Sequence, residues 1–161
     1  MSFQLATHPD LDVRAVAEAM PSWSLDEVLT WGFETFGKQA AIGTSYQGSG
    51  LVIIHHARRL GLDFPVFTLD TGLLFKETNE LKLRLEDFFG IQIEGLHPEE
   101  TVAEQAATYG PELWKTNPDT CCTNRKVIPL QKKLAKLDTW VTGVRSNQSD
   151  TRAHMKMLEM Y

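Results

Sequence analysis

Two cysteines stand side by side at Cys121 and Cys122, and the chain contains no others. Adjacent thiols are too close to act as separate arms of an ordinary zinc site, and a disulfide between neighbours closes a strained small ring. Thiolate ligation of an iron–sulfur cluster, which tolerates varied spacings, is one reading of the pair. Two buried, inert thiols are the other. Lys126 follows Cys122 by four residues, so on a helix its ammonium would share a face with that thiol. A second candidate is the run Gly43-Thr44-Ser45-Tyr46-Gln47-Gly48-Ser49-Gly50. Its glycines allow close backbone approach, and Ser45 and Ser49 add hydroxyl donors, a combination suited to phosphate or sulfate. The run is neither a Walker loop, lacking Gly-Lys-Ser/Thr, nor the dinucleotide fingerprint, its glycine spacing being wrong. Turn and cap chemistry accounts for the same composition without a ligand.

Leu69-Asp70-Thr71-Gly72 would offer edge backbone to a base and Asp70 or Thr71 to a ribose, or would be a capped turn. In Gly143–Arg152, Arg145 and Arg152 are placed to grip phosphate or sulfate with paired donors, or to sit in a solvated loop. The histidines form no metal-ligand grouping, and the neighbours His55 and His56 point to different faces of a predicted helix.

These residues need elements to place them. Ser24-Leu25-Asp26-Glu27 has capping-box spacing and predicts a helix start, with Leu25, Val28, Leu29, Phe33 and Phe36 at helical intervals and Gly37 as its stop. Strands are predicted at 40–44, 65–69, 91–96 and 139–144, and helices at 51–60 and 76–89. Thr101-Val102-Ala103-Glu104 repeats the capping box and predicts a helix ending near Gly110. From Pro111 to Asn124 no period is visible, and a loop of that length is usually functional or mobile. Val127, Ile128, Leu130, Leu134 and Leu137 mark a further helix, kinked or freshly started at Pro129. Alternation of this kind predicts an α/β fold, a parallel sheet flanked by helices. The candidate loops then fall at strand carboxyl ends, where such sheets bind ligands.

The 161 residues, 42% hydrophobic and 23% charged, suit a single domain spanning 1–161, without repeat or linker. The longest aliphatic run, Leu51 to Ile54, falls far short of the roughly 20 residues of a membrane span. Met1-Ser2-Phe3-Gln4 lacks the features of a secretory signal, and a cytoplasmic location is expected. Residues 1–120 carry 8 basic against 18 acidic side chains, whereas 121–161 carry 8 against 3. The switch in sign at the cysteines fits an anion site, and equally a lysine-rich solvated helix. No basic tract argues for nucleic acid, and the assembly state is left open, a homo-oligomer included. The chain closes on Met160-Tyr161 without a helix cap, which reads as a truncation.

In combination, Ser-x-x-Gly after the first strand, Leu-Asp-Thr-Gly-x-Leu-Phe-x-Glu-Thr at 69–78, Cys-Cys-x-x-Arg-Lys-x-x-Pro-Leu at 121–130 and Thr-Gly-x-Arg-x-x-Gln-Ser-x-Thr-Arg-Ala at 142–153 resemble the adenylyl sulfate and phosphoadenylyl sulfate reductase family. The resemblance implies an adenine nucleotide alpha hydrolase-like fold, with Ser45, Gln47, Gly48 and Ser49 around a phosphosulfate, Leu69 and Asp70 near the nucleoside, and Lys126 and Arg145 near the anionic groups. The double cysteine is similar to the branch that bears a 4Fe-4S cluster and typically takes adenylyl sulfate, with phosphoadenylyl sulfate left open as the substrate, making Cys121 and Cys122 two of four ligands. It further implies a tail cysteine that attacks the sulfonate sulfur, release of AMP, and thioredoxin as the reductant that frees sulfite. The chain stops before that tail, so no catalytic nucleophile is expected within it and alone it is expected to be inactive. An ATP pyrophosphatase-type adenylating enzyme and a non-catalytic nucleotide-binding fragment are the competing readings. Against the first, the 45–50 loop lacks the Asp of Ser-Gly-Gly-x-Asp-Ser.

Overall fold

Eight helices and four strands follow the expected alternation in the computed structural model, which describes residues 10–160; Met1–Gln4 and Tyr161 lie outside the described residues. The first helix, α1 (Val13–Ala19), is capped by Asp12, whose Oδ1 accepts the Ala15 N–H at 3.0 Å. Its short length and weak period hid it from the sequence reading. Helix α2 (Leu25–Phe36) begins at the predicted capping box: Glu27 Oε2 accepts the Ser24 N–H at 2.7 Å and Ser24 Oγ accepts the Glu27 N–H at 3.3 Å. Strand β1 (Ala40–Gly43) leads to α3 (Gly48–Arg59), β2 (Val66–Leu69) to α4 (Lys76–Phe89), and β3 (Ile93–Leu96) to α5 (Val102–Tyr109), which has the second capping box.

Helix α3 starts at Gly48 rather than Leu51, so half of the presumed glycine loop is the helix's first turn. The segment read as irregular contains two short helices, α6 (Leu113–Thr116) and α7 (Pro118–Cys122). From α7 the chain passes through a π-helical turn, Thr123–Val127, into α8 (Ile128–Leu134). The widened turn lets Pro129 enter a continuing helical path, because a proline has no N–H to donate and needs room on its inner side. The cysteines are therefore helical. Strand β4 (Thr139–Thr142) closes the series, two residues shorter than predicted.

All strands are parallel, in the order β3-β2-β1-β4, with Ile42 beside Val66 and Val141 in register. Successive side chains alternate across the sheet. Ala40, Ile42, Val66 and Ile93 pack with Leu29, Ile53, Ile54 and Leu85 of α2, α3 and α4. Ala41 and Phe67 face the other way, against Leu134 and Leu130 of α8. Among the described residues, no helix is long and apolar enough to cross a membrane.

Three carboxylates at helix starts respond to acid. Hydrogen bonds, from the Ser24 backbone first and its hydroxyl next, hold Glu27 below the usual carboxylate range; Thr101 does the same for Glu104. Asp26 is lowered chiefly by the hydrogen bond with His56 Nδ1 at 2.5 Å and then by that from Arg59, a contact joining α2 to α3. Groups lowered on folding stabilise the native state above their unfolded values, and that contribution disappears as pH falls through the folded ones. Urea midpoints should thus decline below about pH 4.5. A Glu27→Gln, Glu104→Gln double variant should show a shallower decline; an unchanged slope would show that the caps play no part.

Candidate functional site

The crossover from β1 runs toward β2, whereas β4 lies on β1's other side, so a topological switch point lies between the carboxyl ends of β1 and β4. A cleft of about 540 Å³ opens there, a size suited to a small-molecule ligand. The 43–47 loop and the first turn of α3 form one wall, and Thr142, Gly143 and Val144 form another. Leu69 contributes from the end of β2 and Thr71 from the turn after it, Lys126 and Leu130 from the helical layer, and Gln148 and Arg152 from the final turns. Its floor includes Phe67 and Trp140, stacked at 6.4 Å. Gly43 makes that approach possible, since a Cβ there would lie 3.0 Å from Phe67 and 3.2 Å from Trp140.

The cradle for an anion is built from backbone. Gln47, in extended conformation, precedes α3 and gives it no side-chain cap. The first helical bond onto that residue is from the Leu51 N–H to Gln47 O at 3.2 Å, so the amides at 48, 49 and 50 have no acceptor within the helix. Such amides, with the helix dipole behind them, favour negative charge. Tyr46 turns the loop: its φ is 61°, its N–H donates to Thr44 Oγ1 at 3.0 Å, and its ring is packed in the core. The inward ring leaves Ser45 and Gln47 exposed on the cleft side. Burial raises the Tyr46 phenol above its ordinary value. Ser49 Oγ donates to Gly143 O at 2.7 Å, stitching α3 to the end of β4. Gly143 itself has no space for a side chain, because a Cβ would stand 2.8 Å from the Gly50 nitrogen.

Beside this cleft lies a second depression lined by Leu73, Trp114, Pro118, Cys121, Cys122 and Arg125. Thr71, Leu74 and Lys126 border both, so Lys126 stands on the ridge between anion cradle and thiols. Cys121 is buried and Cys122 exposed. Arg125, only 2% exposed, lies behind them. Its Nε donates to Thr71 O at 2.6 Å and its Nη1 to Gln105 Oε1 at 3.0 Å. Gln105 Nε2 in turn lies 3.8 Å from Cys121 Sγ. Two soft thiol donors on one depression fit half of a four-thiolate cluster site. Among the described residues, no three His, Cys, Asp or Glu side chains group as a metal site.

The profile of the phosphoadenosine phosphosulfate reductase domain matches residues 39–161. This chain belongs to that family. Curated relatives named adenosine 5'-phosphosulfate reductase include one from Halalkalibacterium halodurans, 36% identical over 149 residues, covering 92% of this chain and 64% of the relative. Another, from Salinibacter ruber, is 42% identical over 131 residues, covering 81% of this chain and 52% of the relative. A third, from Rhodococcus opacus, is 35% identical over 170 residues, covering 98% and 69%. The chain thus spans less than two thirds of the first two relatives. A crystal structure of phosphoadenylyl-sulfate reductase from Candida auris, in a phosphate complex, superposes with a TM-score of 0.72 at 26% identity, covering 84% of this chain and 68% of that one. The parallel sheet flanked by helices is this adenine nucleotide alpha hydrolase-like fold.

In this reductase-family domain, Ser45, Gln47, Ser49, Leu69 and Lys126 share the cleft, and Cys121 and Cys122 share the adjoining depression. Three residues singled out from sequence lie outside the cleft lining. Gly48 is exposed at the helix start. Asp70 turns back, its Oδ1 accepting the Gly72 N–H at 3.0 Å and its Oδ2 lying 3.6 Å from His97. Arg145 is exposed, and it is Arg152, whose Nη1 donates to Gln148 Oε1 at 2.9 Å, that lines the cleft. Sequence reasoning missed the structural role of Arg125, although its place four residues after Cys121 carried the same helical-face signal used for Lys126. Gln105 had no local signal at all.

Proposed function

We propose that the full-length protein reduces adenylyl sulfate to sulfite and AMP. The observation that carries this reading is the shared ridge: Lys126 borders both the backbone anion cradle and the thiol depression. A sulfonucleotide laid with its phosphosulfate on the α3 amides would have its sulfur end near the thiols. Ser45 and Gln47 would donate to its oxygens, Arg152 would balance charge at the open side, and Lys126 would neutralise the sulfo group. Leu69 would meet the nucleoside from the β2 edge.

Cys121 and Cys122 would supply two of the four thiolates that a 4Fe-4S cluster takes. Such a cluster, when bound, supplies a charge and redox centre tuned by nearby hydrogen bonds. In the reaction, a thiolate outside this chain would form a bond to the sulfo sulfur as the bond from sulfur to the phosphate oxygen breaks, and AMP would leave with that electron pair. The dithiol of thioredoxin would then release sulfite and be oxidised to its disulfide. A cytoplasmic setting belongs to the proposal, since free paired thiols suit a reducing compartment.

The decisive assay is thioredoxin-dependent sulfite release by anaerobically prepared full-length protein, alongside iron and sulfide analysis. Sulfite from adenylyl sulfate is expected; pyrophosphate released from ATP, with no sulfite, would favour an adenylating enzyme instead. Lys126→Gln should weaken adenylyl sulfate binding by about ten-fold or more, the loss of a charge-assisted hydrogen bond. Calorimetric titration showing unchanged affinity would remove Lys126 from the site.

A further inference from the structure

Arg125 is a buried cation, and each of its hydrogen bonds ends on a neutral acceptor: Thr71 O, Gln105 Oε1 and, at 3.4 Å, Glu100 O. Guanidinium groups only donate, so Arg125 dictates which end of the Gln105 amide faces it. The oxygen must face Arg125. The NH2 end therefore faces Cys121 Sγ, at 3.8 Å, and the sulfur is cast as the acceptor. Gln105 is itself 1% exposed, so bulk solvent does not reach this amide. At the other end of the chain of bonds, Thr71 belongs to the turn after β2 that lines the cleft. A Cβ at Gly72 would lie 3.1 Å from Arg125 Nη2, so the turn and the guanidinium are packed against each other.

We propose that Gln105 is a positioning residue that couples the β2 turn of the nucleotide cleft to the thiol pair, presenting an N–H to Cys121 while Arg125 holds Thr71. The inference rests on the nucleotide reading of the cleft. A ligand that clamps the turn tightens Arg125, Gln105 and, through them, Cys121; Cys122, exposed and outside this chain of bonds, is spared. Coupling of this kind is reciprocal, so the state of Cys121 also alters affinity at the cleft.

The test uses AMP as probe and iodoacetamide as reporter on the reduced chain, with alkylation of the two thiols resolved by tandem mass spectrometry and AMP binding followed by calorimetry. AMP should slow Cys121 alkylation about five-fold or more relative to Cys122. Gln105→Glu keeps an oxygen toward Arg125 and adds a favourable charge, so the fold is retained, but it replaces the N–H at Cys121 by an acceptor. Selective protection should then vanish while AMP still binds. Equal slowing of both thiols in the unsubstituted chain would mean direct shielding and would overturn the proposal, whether or not the variant folds. Selective protection surviving in a folded Gln105→Glu variant would overturn it too. Failure of AMP to bind the unsubstituted chain would instead sink the nucleotide reading, and this inference with it.

Discussion

Gly143→Ala is expected to lower AMP affinity by about ten- to a hundred-fold, the equivalent of roughly 1.4–2.8 kcal/mol. A Cβ at this position would lie 2.6 Å from Ser49 Oγ, 2.8 Å from the Gly50 nitrogen and 3.0 Å from the Ser49 carbonyl carbon. The hydroxyl can rotate away; the two backbone atoms cannot. Relief requires the end of β4 to withdraw from the first turn of α3, which breaks the 2.7 Å bond from Ser49 to Gly143 and splays the amides that would receive the anion. Gly32→Ala serves as a contrast. Nothing lies within 4 Å of a Cβ there, and the residue is in the interior of α2, so stability should rise by up to about 1 kcal/mol with binding unchanged. Calorimetry and urea unfolding on both variants distinguish a local steric effect from a general cost of removing glycine. Wild-type affinity in Gly143→Ala would mean that the contact between β4 and α3 does not shape the cradle.

Arg125→Leu should destabilise the fold by about 3 kcal/mol or more. The substitution leaves Thr71 O, Gln105 Oε1 and Glu100 O without their donor inside the protein. Buried acceptors stripped of a charged donor lose the bond and keep their desolvation cost. Arg125→Lys restores charge but cannot reach three divergent acceptors, and is expected to recover less than half of the loss. Urea unfolding measures both. A leucine variant as stable as the parent would show that the guanidinium is not what ties the β2 turn to α5.

The elements that proved legible in the sequence share a physical property: their signals are local. Ser24 with Glu27, and Thr101 with Glu104, satisfy each other's backbone donors across three residues, so both helix starts are written in the order of side chains. Gly90 ends α4 at φ 62°, a conformation that costs glycine nothing. Three of the four short motifs of the reductase family lie at strand carboxyl ends, which the sheet order brings to one rim, and the fourth, at 121–130, lies on the helical stretch from α7 into α8. Pro129, ambiguous in sequence, was resolved by a widened turn that no neighbouring residue announces.

What the sequence determined by itself was the succession of helices and strands, the parallel sheet they imply, and the residue types able to hold an anion or a soft metal, because periodicity, capping and turn chemistry act over a few residues. The tertiary structure alone decided which of those residues meet. Ser49 is spent on a carbonyl 94 positions away, Arg125 on one 54 positions away, and Cys121 rests on an amide from a different helix. Asp70, by contrast, satisfies its own turn and never enters the cleft. Such choices follow from packing and from the need of every buried polar group for a partner, which only the folded chain can supply.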